Sequence, residues 1–462
     1  MKNKKIYIAT FVIILLLLLT PIIFKTDFSD KVFTSQETYH NLILKNQIEQ
    51  EPIQQQITKH NLFHITIQKI NLNDVQTAIL IPLITGIISI ILILLFLRTL
   101  NLSDNETNFV LILFALSPIF LYTFTSLTPD NFAFPLLILV TLLYLKKSYF
   151  TIIPLILLAL INPILATLVV IATITKLIIQ KQKTKKQIIL HIILILTTLS
   201  IIITQIITNK LIIQINKVII DGALIELGSL TGYSIPLIIL GTIGLFVWWE
   251  KVTERTITAI ILITGFVTSI IIPQIRLPVA LTLAIFAGIG INQLINSEWE
   301  LKKIKQFALL LIFYVILFSA IITLNTQFTQ ITKQEVEAAK YLATTNTNGT
   351  VISTEDKGFM IKYLSNKETL LNPNSWKENN YEEKINITNQ IFYARQQAEL
   401  EKLLINNNIK YIFLHEDMKT GQVWTQREEG LQFFLIYSDI FIKIFDNEKV
   451  QIYKYIKNVE QI

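Results

Sequence analysis

Glu37, His40 and Asn41 bring together an acid, an imidazole and an amide at positions i, i+3 and i+4 of a segment with helical spacing, residues 36–50. On a helix these three side chains share one face. Carboxylate and imidazole groups are the usual carriers of protons in catalysis. The alternative to a catalytic Glu37 is a solvated carboxylate on a surface helix without a function of its own. The opposite, mostly apolar face consists of Tyr39, Leu42, Ile43 and Asn46.

The rest of the chain must hold this segment near a membrane. The 462 residues are 52% hydrophobic and 16% charged, which is too apolar for one water-soluble core. The net charge of +7 comes largely from lysines in short loops between apolar runs, so it indicates membrane orientation rather than nucleic-acid binding. The absence of cysteine excludes disulfides, thiolate nucleophiles and zinc–thiolate sites.

Apolar runs predict a polytopic α-helical membrane protein with about 11 transmembrane helices. The first run follows three lysines and is too long for a signal peptide, so we expect it to stay uncleaved with a cytoplasmic N-terminus. Every lysine- or arginine-rich break then falls on the cytoplasmic side. The predicted spans are 6–24, 76–97, 107–126, 131–145, 149–161, 164–180, 188–208, 234–249, 256–272, 277–295 and 306–324.

The end of the apolar runs at residue 324 divides the chain into two predicted domains. Residues 1–324 form the transmembrane domain, and its first outer loop, 25–75, carries interfacial helices at 36–50 and 59–70. Residues 325–462 regain charge and asparagine, which predicts a small extracytoplasmic α/β domain. Its predicted helices are 333–343 and 386–406, and its predicted strands are 350–354, 410–415, 440–445 and 450–455.

This arrangement resembles the GT-C superfamily of membrane glycosyltransferases, which use polyprenyl-phosphate sugars. The run Glu37-Thr38-Tyr39-His40 is similar to the family's first-loop acid with its following aromatic and histidine residues. Residues 126–132, Ser-Leu-Thr-Pro-Asp-Asn-Phe, look like the Asp-Asn-Glu-type motif of the oligosaccharyltransferase branch without its final Glu. Residues 337–342 and 409–414 are similar to the outer domain of prokaryotic members.

Two departures from the family pattern limit what the resemblance implies. The Trp-Trp-Asp-type motif that recognises asparagine sequons is absent, and Ser375-Trp376-Lys377 does not replace it. Transfer to asparagine is therefore not expected. The first-loop acid is most often Asp, whereas Glu37 is one methylene longer.

The resemblance implies a site on the outer face. Glu37, Asp130 and His40 are the expected catalytic residues, and Glu37 with Asp130 would hold a divalent metal, Mg or Mn, if one is used. Arg276 is the expected anchor of the donor phosphate, or else a headgroup-facing cation. Asp130 at a span start equally suits a helix N-terminus.

Two other histidines of the first outer loop, His60 and His64, have the i, i+4 spacing of a metal pair, which is a weak signal.

We therefore expect a glycosyltransferase that moves a sugar from a polyprenyl-phosphate donor to an unidentified acceptor at the outer face of the cell membrane. Its partners would be that sugar lipid and the bilayer. The alternative is a non-catalytic GT-C-like scaffold or assembly protein. In such a protein Glu37, Asp130 and Arg276 would lie far apart. A transporter fits less well, because ionisable residues are scarce within the spans.

Overall fold

The computed structural model describes residues 2–25, 32–49, 61–179, 194–201, 231–249, 255–378, 380–426 and 428–456, with single positions 192, 203 and 224. These residues form two compact units. The first, here the membrane unit, comprises Met1–Phe24 and Lys45–Phe328. The second, here the C-terminal unit, comprises Lys25–Leu44 and Thr329–Ile462. Part of the first predicted outer loop thus groups with the C-terminal residues.

Helices make up the described membrane unit. Three of them are long and apolar enough to cross a membrane, or four if one bent pair is a single span. About half of the predicted span 188–208 lies outside the described residues. In chain order the helices up to residue 330 are α1 (Lys2–Lys25), α2 (Gln36–Glu49), α3 (Leu62–Lys69), α4 (Asp74–Thr99), α5 (Asp104–Ala115), α6 (Pro118–Thr125), α7 (Asp130–Leu145), α8 (Ile152–Ile161), α9 (Pro163–Ile179), α10 (Ile235–Trp249), α11 (Arg255–Ile271), α12 (Arg276–Asn296) and α13 (Lys302–Gln330). Helix α2 belongs to the C-terminal unit as far as Leu44.

The predicted span 107–126 is not one straight helix. It is divided into α5 and α6, whose axes differ by 62°. Pro118 lacks the N–H that would continue the helix, and the hydroxyl of Ser117 donates to the carbonyl of Phe114 across the break at 2.6 Å. The proline was visible in the sequence, so this division was predictable.

Helices α10 and α12 pack closely because glycines face each other between them. A Cβ at Gly244 would lie 1.7 Å from the carbonyl oxygen of Phe286, and one at Gly290 would lie 2.7 Å from that of Leu240. Only glycine permits backbones this close. This contact fixes the position of α12, whose first residue is Arg276.

The C-terminal unit contains a four-stranded mixed sheet in the order β1-β2-β4-β3. Strands β1 and β2 are parallel, whereas β4 pairs antiparallel with both β2 and β3. The helix predicted at 333–343 is confirmed. The strands are β1 (Thr350–Ile352), β2 (Ile409–His415), β3 (Phe441–Asp446) and β4 (Val450–Tyr455), and the helices are α14 (Lys333–Ala343), α15 (Gly358–Ser365), α16 (Tyr381–Phe392), α17 (Gln397–Asn406) and α18 (Leu431–Tyr437).

The single helix predicted at 386–406 is wrong, since the structure has α16 and α17 with a break between them. The indole N–H of the fully buried Trp424 donates to the carbonyl of Phe392, the last residue of α16, at 2.9 Å. The backbone of Gly430 also approaches this carbonyl too closely for any side chain there. Tertiary contacts therefore end α16, with no local sequence signal.

Candidate active site

The segment around Glu37 begins helix α2 within the C-terminal unit. The hydroxyl of Ser35 accepts the backbone N–H of Thr38 at 3.3 Å, as an N-capping residue does. Glu37 lies in the first turn, where the helix dipole favours a carboxylate, and its side chain is exposed. An exposed carboxylate thus lies at the capped start of α2.

The other face of this segment is buried in protein. Tyr39 and Leu42 are fully buried, and the Tyr39 ring lies 5.0 Å from that of Phe33 and 5.6 Å from that of Tyr363. The side-chain carbonyl of Gln36 accepts the N–H of Met360 at 3.0 Å. Aromatic side chains of the C-terminal unit, rather than lipid, therefore cover Tyr39 on this apolar face.

His40 has a defined partner on each side. Its Nε2 lies 3.0 Å from the amide nitrogen of Asn374, and its ring stacks on Phe359 at 4.3 Å. Burial, then the charges of Lys377 and Lys362, lower the pKa of His40 to about 4. The ring is therefore neutral at pH 7, with Nε2 accepting the Asn374 amide. A neutral ring engaged in this way holds α2 in place.

Lys377 is a charged neighbour of Glu37 that the sequence did not reveal. Partial desolvation lowers the pKa of the Lys377 ammonium, and the carboxylate of Glu37 partly offsets this effect. The ammonium also lies 5.2 Å from the centre of the Trp376 ring. Lys377 ends the short 3₁₀ turn Ser375–Lys377, and the hydrogen bond between His40 and Asn374 holds this turn near α2.

Asp130 is the first residue of α7, in the membrane unit, and it does not cap that helix. Its Oδ1 accepts the side-chain amide of Asn162 at 3.0 Å. The next residue, Asn131, is fully buried and joins the N–H of Thr128 to the carbonyl of Thr123. The Asp-Asn pair thus combines a half-buried carboxylate with a structural amide.

Arg276 is deeply buried, with 2% of its surface exposed. Its Nε, Nη1 and Nη2 donate to the carbonyl of Ser269 at 3.1 Å, the hydroxyl of Thr231 at 2.9 Å and the carbonyl of Ile270 at 3.3 Å. Tyr233 donates to the hydroxyl of Ser269 at 2.6 Å and closes the cluster. Three neutral protein oxygens thus hold the guanidinium.

The structure brings Glu37 and His40 together on α2 and places Asp130 and Arg276 in the other unit. Asp130 and Arg276 share no hydrogen bond or ion pair among the described residues.

In the part of the chain that the structure describes, no three His, Asp or Glu side chains form a metal-ligand group. The divalent metal expected at Glu37 and Asp130 therefore stays a prediction. His60 lies outside the described residues.

Comparisons with known proteins define the class of fold. No protein-family model matches the sequence, and no curated protein sequence matches it significantly. Among solved structures, the Archaeoglobus fulgidus oligosaccharyltransferase in the apo form matches with a TM-score of 0.60 and 12% identity, over 89% of this chain and 70% of that chain. The chain therefore has a GT-C-like fold and is a helical membrane protein.

Two further structures that match the chain contain ligands of their own. The same oligosaccharyltransferase in complex with Zn and sulfate matches with a TM-score of 0.55 and 14% identity, over 91% of this chain and 69% of that one. ArnT from Cupriavidus metallidurans bound to undecaprenyl phosphate matches with a TM-score of 0.50 and 10% identity, over 98% of both chains. At these identities the likeness concerns the fold alone.

Proposed function

We propose that this protein is a membrane glycosyltransferase that moves a sugar from a polyprenyl-phosphate donor to an acceptor hydroxyl at the outer membrane face. The GT-C-like fold supports the reaction class, and the undecaprenyl phosphate bound by ArnT supports the donor class. One observation carries the proposal. Asp130 is a half-buried carboxylate fixed through one oxygen by an amide, and no Lys, Arg or His of the described residues pairs with it.

In this reaction the acceptor oxygen forms a bond to the anomeric carbon while the bond from that carbon to the phosphate oxygen breaks. The acceptor proton passes to a carboxylate, which we assign to Glu37 because it is exposed at the start of α2. Asp130 is the second catalytic carboxylate. Polyprenyl phosphate leaves with the negative charge.

His40 and Arg276 have supporting roles. His40 is neutral and bound to Asn374, so it holds Glu37 in position rather than taking the proton. Arg276 anchors the donor phosphate through the two N–H groups that its three protein acceptors leave over. The proposed topology keeps a cytoplasmic N-terminus, many spans in the cell membrane and the C-terminal unit outside.

The test is transfer from undecaprenyl phosphate carrying radiolabelled glucose or mannose, measured with full-length protein in liposomes of bacterial lipids. Glu37→Gln and Asp130→Asn should each reduce labelled product at least 100-fold while the melting temperature stays unchanged. Glu337→Gln, which changes an exposed carboxylate on α14, is the matched control and should be fully active. Equal activity in all three variants would refute the assignment of Glu37 and Asp130, and no transfer by the unmodified protein would leave the scaffold alternative.

A further inference from the structure

Asn162 stands in the turn between α8 and α9, and both ends of its side-chain amide are engaged. Its Oδ1 accepts the backbone N–H of Leu165 at 3.1 Å and so caps α9, while its Nδ2 donates to Asp130 at 3.0 Å. The side chain is 7% exposed. Because a backbone N–H requires an oxygen and a carboxylate requires a donor, only one orientation of the amide satisfies both partners.

A second asparagine holds the same turn from the first outer loop. Asn61 caps α3 by accepting the N–H of Phe63 at 3.0 Å, and its amide donates to the carbonyl of Ile161 at 2.7 Å. The Phe63 ring packs edge-on against Phe132 of α7 at 5.6 Å. The turn that carries Asn162 is therefore fastened to α3 and α7 as well as to its own helices.

We infer that Asn162 is a positioning residue for Asp130, which it fixes through one carboxylate oxygen so that the other oxygen is directed to the substrate. The inference rests on the proposed function, since it assigns Asp130 a place in that reaction. The amide cannot rotate away, because the cap of α9 holds its oxygen. Among the described residues Asp130 has no other hydrogen-bond partner, so its orientation depends on Asn162.

The test separates this role from the capping role. Asn162→Ser retains a capping oxygen for α9 and removes the amide donor to Asp130. Asn162→Asp retains the cap and places a like charge beside Asp130. Asn73→Ser is the matched control, because Asn73 caps α4 by accepting the N–H of Gln76 at 2.8 Å.

Two readouts are measured on full-length protein in liposomes. The first is modification of Asp130 by dicyclohexylcarbodiimide, which attacks protonated carboxyl groups, followed by peptide mass spectrometry across pH. The midpoint of labelling should move up by about one pH unit in Asn162→Ser, because a hydrogen bond to the charged form is lost, and further in Asn162→Asp. The second readout is sugar transfer from the labelled undecaprenyl-phosphate donors. We expect both Asn162 variants to have a kcat roughly 10- to 100-fold lower, with an unchanged KM for the donor.

The outcomes distinguish the two proposals. An unchanged labelling midpoint in both Asn162 variants overturns the positioning role, whatever the activity. A shifted midpoint with slow turnover supports it, provided that Asn73→Ser behaves as the unmodified protein does. Full activity of Asp130→Asn would instead refute the proposed function, and the labelling shift would then still show that Asn162 fixes the carboxylate.

Discussion

His40 and Asn374 are 334 residues apart in the sequence and are joined by a hydrogen bond of 3.0 Å between imidazole and amide nitrogens. The bond ties the helix that carries Glu37 to the turn that carries Lys377. Because the amide donates, the bond requires a neutral imidazole, and protonation of Nε2 would remove it.

This requirement makes the stability of the C-terminal unit dependent on pH. Burial lowers the pKa of His40 from 6.5 to about 4, so the unfolded chain binds a proton before the folded one does. The contribution of His40 is complete above pH 6.5 and is lost as the pH falls towards 4. In His40→Gln a side-chain carbonyl still accepts the Asn374 amide but does not titrate. We expect its melting temperature to fall less than that of the unmodified protein between pH 7 and 4.5 by scanning fluorimetry.

The ion pair between Lys357 and Glu335 is the next testable feature. Its Nζ–Oε1 distance is 2.7 Å, and both side chains are at most 5% exposed. Removing one partner leaves a buried charge, so Lys357→Met and Glu335→Gln should each cost about 3–5 kcal/mol, and the double variant less than their sum. The melting temperature of the full chain measures this. Lys384→Met, which breaks a surface pair with Glu378, should cost about 1 kcal/mol or less. Equal losses at both pairs would contradict the assigned burial.

Variants at Arg276 and Tyr233 can separate the contribution of Arg276 to stability from its proposed contribution to donor binding. The ammonium of a lysine cannot reach three acceptors in three directions. We therefore expect Arg276→Lys to lower the free energy of unfolding by about 1–3 kcal/mol, measured as a lower melting temperature. If Arg276 also anchors the donor phosphate, the KM for the undecaprenyl-phosphate sugar rises as well. Tyr233→Phe removes only a hydroxyl of the same cluster and should lower stability with the KM unchanged. A stable Arg276→Lys protein would show that the three hydrogen bonds contribute little.

The contact between α10 and α12 predicts a sharp difference between two glycines. Gly244→Ala would place Cβ 1.7 Å from the Phe286 oxygen, which forces the two helix backbones apart. We expect a loss of several kcal/mol and little folded protein after size-exclusion chromatography in detergent. Gly265→Ala on α11 meets nothing within 4 Å and improves helix propensity, so it should behave as the unmodified protein or better. Comparable yields of both variants would be inconsistent with this packing.

Helices were the most predictable part of this fold, because their apolar runs and caps are local. The helix at 333–343 followed from its pattern, and Thr332 and Glu335 there form a capping box. The break after Phe392 was not predictable, because Trp424 causes it from a distance.

The residues of the candidate site also differ in whether the sequence carried a local signal for them. Glu37 and Asp130 were predicted from short motifs and stay predictions, whereas Asn162, Asn374 and Lys377 became visible only through contacts between distant segments. Asn162 before Pro163 did carry a local signal for a helix start, although not for its second bond.

The link between Gln36 and Met360 also has a consequence for biosynthesis. At about 5–20 residues per second, the ribosome needs on the order of 16–65 s to add the 324 residues that separate them. During that time Tyr39, which is fully buried in the finished protein, lacks Tyr363, the neighbour that comes from the late residues 329–462. A nascent chain stalled after α13 would therefore leave the part of this apolar surface that Tyr363 covers exposed.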